Sequence, residues 1–258
     1  HLGGAYEFMG VSVRADERDM RVPEMRRLAA ALAKGLADTR TLPSDEVIAS
    51  LPSALLAGGD VDRLRDIIER YRDRIAAVVF EPDKDPADGL NKGFARTTGD
   101  ILGYMNADDA YLPGAIGKAV AAFRARPDAD VICGHGYIVD RDGTPTRRFR
   151  SDPFDARRHA LGGVTVMQQP PFSRRAAFAA GGGFNVANKT SWDGELLLEM
   201  SLAGMGFAVV HEYWSIFRIH GESISGSQRM ADESRSNWDR YFERVMGHPP
   251  GGGDRWRK

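Results

Sequence analysis

Between residues 76 and 133, short apolar runs alternate with amphipathic stretches, and this alternation constrains the chain more than any other feature. Residues 76–80, 101–105 and 130–133 have the length and composition of buried strands. Residues 86–97, stopped by Gly99, and 113–126 fill the intervals as helices. Such alternation implies a mostly parallel sheet with helices on both faces. Upstream, residues 61–74 put Leu64, Ile67, Ile68 and Tyr71 on one helical stripe. Residues 22–39 read as a helix with Pro23 in its first turn, and 53–57 as a short strand before Gly58-Gly59.

The order is less regular after Gly134. Residues 144–150 predict a strand, 171–180 and 194–203 helices, 207–210 and 213–219 strands, and 229–245 a closing helix. No linker separates the parts. The expectation is one α/β domain over 1–248, with halves at about 1–133 and 134–248, and a flexible Pro/Gly-rich tail at 249–258.

Composition removes several classes. With 35 Lys+Arg against 36 Asp+Glu the net charge is -1, which gives no electrostatic reason to bind nucleic acid. A hydrophobic content of 42% is too high for a disordered chain. No apolar run reaches the roughly 18 residues of a membrane span. Cys133 is the only cysteine, so no internal disulfide forms, which fits a reducing compartment. No leader pattern follows His1. The localisation read from this is cytoplasmic, at most peripheral to a membrane.

The densest chemistry is Asn106-Ala107-Asp108-Asp109, directly after an apolar strand. Ligands of parallel α/β sheets bind beyond the carboxyl ends of strands. Two adjacent carboxylates there suit a hard divalent cation or the capping of the next helix. Residues 81–93 form a second polar segment, in which Lys92 suits a phosphate or a solvated surface. Asp193, before Leu196-Leu197-Leu198, is placed to be a helix N-cap or a general base, and His220, after a strand, a ligand or a base. No zinc spacing, phosphate loop or nucleophile elbow is present.

In order, these segments resemble inverting glycosyltransferases of family 2, which have the GT-A fold. Residues 81–116, EPDKDPADGLNKGFARTTGDILGYMNADDAYLPGAI, are similar to that family's E-P-D … N-K-G … N-[SA]-D-D run. Gln168-Gln169 through Arg175, Gly182-Gly183-Phe184, Asp193-Gly194-Glu195-Leu196 and Arg218 through Ser225 resemble its acceptor-side motifs. The resemblance implies a single GT-A-like domain with a nucleotide-binding half and an acceptor half. It implies a metal-dependent inverting transferase that moves a sugar from a nucleoside-diphosphate donor to a hydroxyl of a glycan or lipid-linked saccharide, in polysaccharide biosynthesis. Asp193 would be the general base. Asp109 and His220 would hold Mn²⁺ or Mg²⁺. Asp83, Asn91, Lys92 and Asp108 would lie along the nucleotide sugar, and Trp192 would stack on a sugar or pack in the core.

Three positions depart from the family pattern. The opening strand around Met9–Arg14 lacks the usual ending, Ala57 stands in place of an Asp that contacts the nucleobase, and Asp85 replaces a Gly. These departures keep a second reading open, a non-catalytic glycan- or partner-binding module on the same fold. Retention of Asp108, Asp109, Asp193 and His220 together favours the enzyme.

Overall fold

The structure is a computed structural model that describes residues 8–12, 47–50, 69, 77–79, 84–106, 109–112, 114–169, 171–219, 230–251 and 253–254. The predicted helix 22–39 and strand 53–57 lie outside these residues, as does the predicted helix 61–74 except for Glu69, which is helical.

The first sheet is built from β1 (Phe8–Ser12), β2 (Val47–Ser50), β3 (Ala77–Val79) and β5 (Tyr104–Asn106). Its order is β3-β2-β1-β5, and every pair is parallel, with Met9 opposite both Ile48 and Tyr104. Two of its strands, β3 and β5, come from the alternating stretch, whereas the third strand expected there, 130–133, opens a longer strand of the second, mixed sheet. The strand beside β1 is Val47–Ser50, a four-residue run with no turn signal of its own that the sequence reading passed over. Helix α1 (Pro86–Phe94) lies against β1 and β2. Asp85 caps it, accepting from the Asp88 N–H at 2.9 Å, and Pro86 sits at its start, where a missing N–H costs nothing. The helix ends at Phe94, short of the predicted Thr97.

The second sheet is mixed. It contains β4 (Ile101–Leu102), β6 (Ala110–Tyr111), β7 (Val131–Val139), β8 (Pro145–Phe149), β9 (Phe172–Arg174) and β10 (Phe207–Arg218). The order is β4-β9-β7-β10-β6, with β8 paired to β7. Two expectations change here. Residues 101–105, read as one strand, divide at Gly103 into β4 and β5, which serve different sheets. Residues 171–180, read as helix, begin as β9, because Phe172 and Ser173 pair with Ile132 and Val131, and only Arg175–Ala180 forms helix α4. Tertiary pairing overrides the helical propensity of an Ala-rich run.

The two strands predicted at 207–210 and 213–219 are one strand, β10, kinked where they were expected to separate. From Val209 to Tyr213 it takes four steps while β7 takes two, from Cys133 to His135. This bulge places Trp214 over Gly134. A Cβ on Gly134 would lie 2.0 Å from Trp214 Cε2, and Trp214 is fully buried. Gly134→Ala is therefore expected to cost about 1–3 kcal/mol by overpacking, read as a lowered denaturation midpoint; an unchanged midpoint would show that Trp214 has room to move.

The remaining helices are α2 (Ala115–Ala125), α3 (Ala156–Ala160), α5 (Trp192–Leu202) and α6 (Ala231–Met246). One apolar cluster takes Ala87, Leu90 and Phe94 from α1, Val131 from β7, Leu196, Leu197, Leu198 and Met200 from α5 and Tyr241 from α6. Both halves of the chain thus share one core, as a single domain requires. Among the described residues no helix is long and apolar enough to cross a membrane.

Candidate active site

Asn106 ends β5, and Asp109 follows in the turn before β6. Helix α2 starts only at Ala115, behind the N-cap Gly114, so Asp109 does not cap it. Instead its carboxylate, 2% exposed, ties three segments together. Oδ1 accepts from the Arg218 backbone N–H at 2.9 Å. Oδ2 accepts from Asn106 Nδ2 at 3.1 Å and from Gln169 Nε2. Hydrogen bonds to a charged acceptor are worth about 1.5–3 kcal/mol each, which offsets the cost of burying the charge. Arg218 closes β10, so the chain running on towards His220 is anchored at Asp109.

The network continues towards the second half. Asn106 Nδ2 also donates to Gln168 Oε1 at 3.1 Å. The Gln168 side chain hydrogen-bonds the Tyr104 hydroxyl. Burial, and then the negative charge of Asp193, hold that hydroxyl well above the ordinary phenol range, so it stays protonated. Asp109 also acts on it, more weakly. Tyr104 is therefore the group on which the two carboxylates singled out in the sequence converge.

Asp193 lies in the first turn of α5, two residues beyond the position its capping reading requires. The N-cap is Ser191, whose Oγ lies 2.9 Å from the Tyr241 hydroxyl. That turn is held by Glu195, which is buried and accepts from Asn185 Nδ2 at 3.0 Å, Asn188 Nδ2 at 2.6 Å and both terminal nitrogens of Arg240. Burial raises the Glu195 carboxyl, but these bonds outweigh it and hold the group below the usual carboxylate range. Asp193, Tyr104 and Gln168 line one cavity of about 300 Å³ between α5, α6, β5 and the 164–168 segment.

The other predicted residues fall as follows. Asn91 uses both ends of its amide on the Phe184 backbone, donating to its O at 2.8 Å and accepting from its N at 3.0 Å, and so fixes a wall of the cavity. Lys92 Nζ pairs with Asp88 at 2.9 Å, one turn back on α1. Trp192 is 4% exposed and packs on Tyr104 and Phe184, the core role of the two open to it. Asp83, Asp108 and His220 lie outside the described residues. Sequence reasoning passed over Tyr104 and His159. Tyr104 looks like any strand aromatic, and His159 lies in an Arg-rich segment with no motif.

Residues 55–179 match the model of Glycosyl transferase family 2. This stretch, just under half of the chain, is similar to glycosyl transferases of family 2. It is 29% identical over 143 residues to the O-antigen biosynthesis protein RfbC of Myxococcus xanthus, covering 54% of this chain and 11% of that protein. It is 23% identical over 178 residues to the succinoglycan biosynthesis protein ExoU of Rhizobium meliloti, covering 63% and 51%. The chain thus spans about a tenth and about half of these relatives. Among solved structures, S. aureus TarS 1–349 superposes with a TM-score of 0.61 at 13% identity, over 94% of this chain and 70% of that one. The mannosyltransferase PcManGT from Pyrobaculum calidifontis, in complex with GDP-Man and Mn²⁺, superposes with a TM-score of 0.61 at 13% identity, over 96% and 66%. The chain has the GT-A fold of these structures.

Proposed function

We propose that this chain is an inverting, metal-dependent glycosyltransferase that moves a sugar from a nucleoside-diphosphate donor to a hydroxyl of a saccharide or lipid-linked acceptor. The observation that carries this reading is that Asp109 reaches Tyr104 through one hydrogen-bonded chain, by way of Asn106 and Gln168, while the charge of Asp193 acts on the same hydroxyl. Asp109, after the carboxyl end of β5, would serve the leaving group, and Asp193, in the first turn of α5, the attacking hydroxyl, the two roles a single displacement needs. The family similarity supports a transferase, and the names of the relatives support polysaccharide biosynthesis.

The chemistry of the donor set suits a hard divalent cation. Next to the buried Asp109 carboxylate lies Gln169, 1% exposed, whose Oε1 has no hydrogen-bond partner among the described residues. Carboxylate and amide oxygens are ligands for Mg²⁺ or Mn²⁺ rather than for zinc. Among the described residues no three His, Cys, Asp or Glu side chains converge, so Asp108 and His220 are needed to complete the set. The complex of PcManGT with Mn²⁺ supports the same choice of ion. When bound, the cation supplies Lewis-acid stabilisation of the leaving diphosphate. The protein's own part is to hold Asp109 and Asn106 at the turn, to keep Tyr104 protonated, and to place Asp193 where it takes the proton of the acceptor hydroxyl.

Thermal unfolding with UDP, GDP and dTDP, each with and without Mn²⁺, tests the reading. A ligand selective for the folded state adds about 2.7 kcal/mol at a hundredfold excess over its Kd. One nucleotide, with metal, is expected to raise the midpoint. No rise with any of them would overturn the proposal.

A further inference from the structure

The cavity that holds Asp193 is unlike the polar cleft expected around a bare sugar. Its wall is mostly aromatic and aliphatic, and includes Phe154, Phe172, Phe178, Phe184 and Trp238. At about 300 Å³ it sits at the lower end of the roughly 300–1,000 Å³ typical of small-ligand pockets. A hexose enclosed there would bring several hydroxyls into a space with few partners, and each unpaired one costs more than its ring contacts return. An apolar group with a single polar atom meets no such penalty.

The cavity contains a polar atom waiting for that partner. His159, on α3, is 8% exposed, and its Nε2 has no hydrogen-bond partner among the described residues. The ring is fixed between aromatic neighbours, with centroids 4.9 Å from Phe154 and 4.8 Å from Trp238. Its edge faces α5 beside the presumptive base: a Cβ on Gly194 would lie 3.7 Å from Nε2. Burial lowers the imidazole to about 4, so it is neutral at ordinary pH and adds no charge to an apolar wall. Buried polar side-chain atoms are nearly always paired, and an exception calls for an explanation such as a ligand.

We propose that this cavity is a subsite for an apolar aglycone of the acceptor, and that His159 Nε2 hydrogen-bonds the one polar atom of that group while the linked sugar presents its hydroxyl to Asp193. This rests on the transferase reading and narrows it, since it selects lipid-linked or aryl-linked acceptors over bare glycans. His159 is a specificity-determining residue in this scheme and takes no part in the proton transfer.

Histidine-selective ¹⁵N NMR of the whole chain tests it, titrated with 4-hydroxyphenyl β-D-glucopyranoside, here the phenyl glucoside, whose phenol oxygen is the one polar atom of its aglycone, and with methyl β-D-glucopyranoside. The phenyl glucoside is expected to move the His159 Nε2 resonance saturably, and the methyl glucoside to leave it in place. His159→Phe keeps the ring shape and removes the nitrogen; it should weaken phenyl glucoside binding about tenfold, the usual worth of one hydrogen bond. Should that variant fold poorly, Gly194→Ala serves instead, because its methyl covers Nε2 at an ordinary contact distance. Equal binding of the two glucosides, or phenyl glucoside binding with the His159 signal unmoved, would overturn the subsite. A chain that still gives the metal-dependent nucleotide shift in that case remains a transferase and loses only this subsite.

Discussion

Asp193→Asn is expected to reduce sugar transfer by about 10²–10⁴-fold, the usual worth of a general base. The substitution keeps the shape of the side chain and removes the proton acceptor. The first turn of α5 is held by Glu195 and its partners Asn185, Asn188 and Arg240, so the fold and the nucleotide shift should survive. The loss should fall on kcat and on kcat/KM for the acceptor alike, since the interaction removed is made in the transition state. Transfer within a few-fold of the parent would remove Asp193 as the base.

Acidification should destabilise the chain before its carboxylates titrate. His159 is lowered from an ordinary 6.5 to about 4 by burial. As pH falls through 6.5 the unfolded chain takes up a proton that the folded chain refuses, so protonation favours unfolding. The contribution is intact above 6.5 and is lost progressively down to about 4, by about 3 kcal/mol in all. Glu195 acts on the next interval. Its folded-state value lies below the ordinary 4.5, so the stability it supplies is present above 4.5 and fades as pH falls further. Urea denaturation across about pH 3 to 7 reads both. His159→Phe should flatten the upper interval and leave the lower one. A parent chain equally stable at pH 4.5 and 7 would mean that His159 takes up its proton in place.

These effects mark where the sequence is legible. The long helices α2 and α6 lie within a few residues of where periodicity places them, because each buries one face, while α5, buried at Leu196, Leu197 and Leu198 in succession, is betrayed by its apolar run. The short strands are less readable. Val47–Ser50 and Phe172–Arg174 owe their state to partners far along the chain, which no local window contains. The site divides in the same way. Asp109 and Asp193 stand out as carboxylates at the ends of elements. Their link through Asn106, Gln168 and Tyr104 spans 62 positions between Asn106 and Gln168 and leaves no local pattern. The Glu195–Arg240 pair, 45 positions apart, is equally hidden. His159 becomes conspicuous only once Trp238 and Phe154 are seen to enclose it.

The break at Gly103 joins these observations. A Cβ there would lie 2.6 Å from the Phe172 ring, so only glycine lets the chain leave the mixed sheet and enter the parallel one within a single residue. Asn106 is three residues farther on and Asp109 six. The turn to which the proposed chemistry is assigned is thus a seam between two sheets and belongs to neither alone. Neither sheet can melt by itself and leave that turn standing, so binding at the turn and global unfolding form one cooperative unit, and a ligand held there stabilises both sheets at once.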